Sequence, residues 1–138
     1  MDKIKHYVPL AGRILLALIF VVSSLLKAGA WDQTTGYMAH KGMPLIPLFL
    51  AGAIVVELLG GFSILLGFKA KVGATVLFVF LIPVSLIFHN FWALEGVEQQ
   101  VEMTMFLKNL SIMGGLLLVI GLGTGPLSLD NRIEAVQG

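Results

Sequence analysis

Four stretches of this chain are each long and apolar enough to cross a lipid bilayer, and they constrain the fold more than any other feature. They lie at about 8–28, 46–67, 72–91 and 103–123, each offering about 20 mainly apolar residues against a hydrocarbon layer about 30 Å thick. Within lipid, backbone N–H and C=O groups must be satisfied inside the chain, so such segments form helices. The expected fold is therefore an all-α membrane protein. It comprises one domain, residues 1–138, built as a four-transmembrane-helix bundle with antiparallel neighbours. Composition agrees: 57% of the residues are hydrophobic and 12% charged, more apolar than a soluble domain of this length can enclose.

The links between the spans set the orientation. A loop with Trp31, Gly36, Gly42 and Pro44 joins the first two, a tight Lys69-Ala70-Lys71 turn the next, and an acidic link with Glu95, Glu98 and Glu102 the last. Lys and Arg favour the cytoplasmic side of short loops. Lys3, Lys5, Lys69, Lys71 and Arg132 share one side, opposite Lys41 and the three glutamates, so both termini are predicted to be cytoplasmic. Trp31, Tyr37 and Trp92 then fall at the outer interface, where amphipathic rings are favoured. The N-terminus also has the outline of a cleavable secretory signal ending at Ala28-Gly29-Ala30, but Arg13 and Lys27 interrupt it. The expected location is the cytoplasmic membrane of a bacterium or archaeon, with the lipid bilayer as first partner.

The charges inside the spans are the candidate functional groups. Glu57 sits in the middle of AIVVELLGG, residues 53–61, where a bare carboxylate costs roughly 2.5–3.5 kcal/mol. It must face the bundle. Residues three and four apart share a helix face, which aligns Arg13, Ala17, Phe20, Ser24 and Lys27 in the first helix. The same spacing groups Ala53, Glu57, Gly60 and Gly61 in the second helix and Thr75, Phe78, Ile82, Ser85, His89 and Trp92 in the third. In the fourth it groups Thr104, Lys108, Ser111 and Gly115, with Asn109 beside them. At 1.5 Å per residue, Glu57 lies roughly 15 Å from the outer end of its helix and Lys108 about 8 Å below that surface. These depths predict an outward-facing pocket lined by Lys27, His89, Asn90, Lys108 and Asn109, closed by Glu57, with Arg13 below. Glu57 is read either as a proton-exchanging or ligand-binding carboxylate, or as the partner of Arg13 or Lys108 in an ion pair that fixes helix register. Lys27, near a helix end, can snorkel to meet the acidic link. His89 suits proton exchange near neutral pH.

Other chemistry is excluded or demoted. With no cysteine there is no disulfide, thiol redox or iron–sulfur chemistry. His6, His40 and His89 lie in separate segments without metal-ligand spacing, so no metal is predicted. A net charge of +1 and the lack of a basic tract argue against nucleic acid as a partner. Gly60-Gly61 and Gly114-Gly115 read as sites of close helix packing.

As a set, these residues resemble the DoxX family of small four-helix membrane proteins. The matching pieces are Gly12-Arg13, Phe20 and Lys27; Tyr37-Met38 and Lys41-Gly42-Met43-Pro44; Glu57 with Gly60-Gly61; His89-Asn90-Phe91-Trp92; Phe106-Leu107-Lys108-Asn109; and Gly125-Pro126-Leu127-Ser128-Leu129-Asp130. The resemblance implies an accessory subunit of a quinone- or sulfur-linked redox system, with quinone as the cofactor and a redox subunit as partner. Lys27 and Lys108 would orient ligand oxygens, and stand-alone catalysis is not expected. Two rival readings are a proton-coupled anion or metabolite transporter, acting at least as a homo-oligomeric dimer, and a purely structural partner-binding protein.

Overall fold

The computed structural model describes residues 2–137, all-helical with four helices of membrane-spanning length. The spans are α1 (Asp2–Gly29), α3 (Ile46–Leu66), α4 (Ala70–Phe88) and α5 (Gly96–Leu122); α2 (Trp31–His40) and α6 (Leu129–Gln137) are short. The expected fold class is the one observed.

Three boundaries differ from the sequence reading. α1 begins well before residue 8 and carries Pro9 within it. The loop after the first span contains α2, a helix with weak formers at Thr34, Thr35 and Gly36 that packs against α3 and buries Met38. One non-helical residue, Ala30, separates α1 from α2: its amide donates to Leu26 and its carbonyl accepts from Thr34. Finally, the acidic link is mostly helix. Glu98 lies in the first turn of α5, where a carboxylate is favoured by the helix dipole, and Glu102 one turn on.

In space, α1 packs on α3, α3 on α4, and α4 on α5, with α1 and α5 touching sparingly. Glycines set the close approaches. A Cβ at Gly60 would come within 2.6 Å of Leu77 on α4, and one at Gly61 within 2.9 Å of Val21 on α1. In α5 the pair divides: Gly115 faces Leu16, whereas Gly114 meets nothing within 4 Å. The core that forms around them contains Ala17, Phe20, Ile64, Ala74, Leu77 and Leu116.

Two predicted faces are rotated. The buried face of α4 is Ala70, Ala74, Leu77, Leu81 and Ser85, leaving Thr75 and Ile82 outside. In α5, Asn109, Leu116 and Val119 are buried while Thr104, Lys108 and Ser111 point outward. The hydroxyls of Thr75, Thr104 and Ser111 each donate to the carbonyl four residues earlier, so they need no partner from another helix.

The end of the bundle that carries the termini is closed by the tail. The Asp130 carboxylate accepts from the backbone amides of Lys69 and Ala70 at 2.7 and 3.1 Å, capping α4 from a distant part of the chain. Its own amide donates to the Gly67 carbonyl. Asp130→Ala is expected to cost about 1 kcal/mol, and Asp130→Asn to restore only part of it, because an amide keeps one acceptor oxygen for two backbone N–H groups, measured by thermal unfolding in detergent.

Candidate functional site

Between α1, α3, α4 and α5, under α2, lies a cavity of about 450 Å³. Its walls are mainly apolar, including Ile19, Phe20, Phe49, Leu50, Phe80, Val84 and Ile87, with Met38 and Met43 at the α2 side. Pro83 of α4 also lines it.

One wall carries an ion pair. The Lys27 ammonium lies 2.9 and 2.8 Å from the two Glu57 oxygens and 2.6 Å from Ser23 Oγ. The Glu57 side chain is 7% exposed and that of Lys27 29%. Glu57 therefore pairs with Lys27, not with Arg13 or Lys108, and Lys27 does not reach out to the acidic residues. Counting from helix ends had set Lys27 shallow and Glu57 deep. Their contact closes that difference in depth.

The other sequence-designated residues divide. His89 and Asn109 line the same cavity; Arg13, Asn90 and Lys108 do not. Arg13 is buried at the opposite end, where its Nη2 donates to the Leu127 carbonyl at 2.5 Å. Asn90 accepts from Lys41 at 3.3 Å. Lys108 is exposed on the outer face of α5, with Nζ 3.2 Å from Met105 Sδ. The expected ring of two lysines and two asparagines is thus not assembled. Asn109 is fixed from within: Ser85 donates to the Leu81 carbonyl and accepts from Asn109 Nδ2 at 3.0 Å.

Sequence reasoning missed Ser23 and Tyr37. Ser23 stands four residues before Lys27, a spacing that predicts contact on a helix. Tyr37 reads from the sequence only as an outer-interface ring, because its place on the cavity depends on α2 folding over the bundle. It stacks on Phe88 with centroids 5.7 Å apart and borders both this cavity and a smaller one of about 310 Å³. That second space is bordered also by His40, Lys41, Glu98 and Glu102. Burial, reinforced by the Glu102 carboxylate, pushes the Tyr37 phenol above its ordinary value. His89 Nδ1 lies 2.7 Å from Glu102 Oε2, joining the end of α4 to α5 beside the cavity.

These features define a multi-pass integral membrane protein with an ion pair set into an inter-helix cavity. The chain belongs to the SURF4 family, whose model matches residues 1–135. It is 34% identical to the inner membrane protein YphA of Escherichia coli, over 89% of this chain and 88% of that one. It is equally identical to YqjF, another E. coli inner membrane protein, over 97% and 98%. It is also 29% identical to the ER-derived vesicles protein ERV29 of Saccharomyces cerevisiae, over 95% of this chain but 35% of the yeast protein. No solved structure matches. With four helices of membrane-spanning length and inner membrane proteins among its relatives, the protein is a multi-pass protein of the cytoplasmic membrane.

The family finding corrects the resemblance to DoxX. Paired glycines, short basic turns and polar residues at helix ends are demands of any small helical bundle, so they do not separate one such family from another. The redox and quinone expectations rested on that resemblance and fall with it.

Proposed function

We propose that the protein is a membrane-embedded binding protein, holding an amphiphilic small molecule in the cavity between α1, α3, α4 and α5. The observation that carries this reading is an apolar space of ligand size with a charged pair on its wall. Ionisable groups inside a membrane bundle are costly, and here the pair borders open space rather than being sealed by packing. Glu57, Ser23, His89 and Asn109 are the binding residues in this reading, with Lys27 fixing the Glu57 carboxylate. Both termini lie in the cytoplasm, which turns the cavity towards the outer half of the bilayer. An anion carrier fits less well, because the one lysine bordering the cavity is already neutralised by Glu57.

The test is extraction and mass spectrometry of organic-soluble molecules from purified wild type and from Ala53→Phe, which fills the cavity from α3. A molecule retained near one per wild-type chain and lost from the variant is expected. Identical extracts from both proteins would sink the proposal.

A further inference from the structure

The hydrogen-bond capacity left on the cavity wall selects among amphiphiles. All three N–H donors of Lys27 are committed: two to the oxygens of Glu57 and one to Ser23 Oγ. The ammonium therefore has none to offer a ligand. Each Glu57 oxygen takes one of those bonds and keeps further acceptor capacity, since a carboxylate has about four acceptor sites. Ser23 Oγ accepts from Lys27 and keeps its own proton to give. Side by side on the wall stand a strong acceptor and a single hydroxyl donor.

Charge narrows the choice again. Lys27 and Glu57 neutralise one another, so an ammonium or carboxylate brought beside them would add an unbalanced charge to an apolar space. A neutral group that only accepts, such as a ketone or an ether, would leave the Glu57 acceptors unused. A hydroxyl fits both demands. It gives its proton to Glu57, takes that of Ser23, and carries no charge.

We infer that the occupant is a neutral, hydroxyl-bearing amphiphile, its alcohol set between Glu57 and Ser23 and its apolar body along Phe80 and Val84. This rests on the binding reading above and names the ligand class for the same site. It also reverses the sequence expectation, in which lysines would donate to an anion or a carbonyl oxygen.

The experiment uses the full chain in lipid nanodiscs and a photoreactive long-chain primary alcohol carrying a diazirine on its alkyl body. Competitors are dodecan-1-ol, its methyl ether, dodecylammonium and dodecanoate. Labelling is expected at peptides containing Phe80 and Val84, with dodecan-1-ol competing about tenfold better than the ether, the value of one well-formed hydrogen bond. In Lys27→Met/Glu57→Leu, which keeps the wall neutral, alcohol and ether should compete equally; in Ser23→Ala both should compete less well while the alcohol keeps its advantage, since an ether oxygen also accepts from Ser23. Equal competition by alcohol and ether in wild type, or best competition by the ammonium or carboxylate, overturns the ligand class while leaving a binding cavity in place. Labelling that avoids the cavity with every probe, unchanged by Ala53→Phe, overturns the binding reading and this inference together.

Discussion

Replacing Lys27 with methionine is expected to destabilise the protein by about 3 kcal/mol, and adding Glu57→Leu is expected to restore most of that loss. The single change leaves a carboxylate that is 7% exposed without its cation. Removing one partner of a buried pair costs about 3–5 kcal/mol, because the remaining charge is left desolvated and uncompensated. The lower end applies here, since the Lys27 side chain is 29% exposed and opens on the cavity. The double variant has no charge left to desolvate. Denaturant unfolding of the four proteins of the cycle in detergent gives the coupling energy directly. Additive effects would mean that the pair contributes nothing to the fold.

Gly67→Ala is expected to cost about 2–4 kcal/mol, the sum of a backbone and a packing effect. Gly67 ends α3 with φ +64°, in the left-handed region, and its amide and that of Phe68 close the last turn onto Ile64 and Ser63. An alanine there carries roughly 1–2 kcal/mol of conformational cost. Its Cβ would also stand 2.5 Å from Ser128 Cβ and press on the Arg13 guanidinium. Both neighbours are buried, and Arg13 is held by Leu127. Ser128→Gly in the same chain should recover part of the loss. Gly114→Ala is the control: a Cβ there meets nothing within 4 Å, so the helix preference of alanine should stabilise the protein by roughly 0.5–1 kcal/mol. Equal thermal shifts for the two glycine variants would refute the assignment of Gly67 to a packed turn.

The tail explains why the partner of Arg13 is not legible in the sequence. A cation in the first span suggests a carboxylate partner in another span, and Glu57 was the one available. Instead the segment after α5 folds back, so that a carbonyl at Leu127 answers Arg13 while Asp130 caps α4. Those contacts join residues more than a hundred positions apart in one case and about sixty in the other. Periodicity carries no information at that range.

Lys108 shows a different failure. Hydrophobic periodicity finds the inner face of a helix in water because the two sides differ in polarity, but in a bilayer the lipid-facing side is as apolar as the core. The polar stripe of Thr104, Lys108 and Ser111 therefore looked like an inner face. It lies outside, its hydroxyls satisfied by their own helix, while Asn109, one residue on, turns inward to Ser85. A rotation of about 100° per residue separates the two readings, and only packing against α4 chooses between them.

What the sequence determined by itself was the set of spans and the demand created by Glu57. Both are local: a run of about 20 apolar residues must be helical in lipid, and a carboxylate within it must find a partner. Which partner answered was decided by the tertiary structure. The packing of α3 on α1 at Gly61, with α2 lying over the bundle, brought Lys27 to Glu57 and left open the space beside them. Helix offset and rotation follow from the shapes of facing surfaces, and the apolar pattern that marks a span is blind to shape.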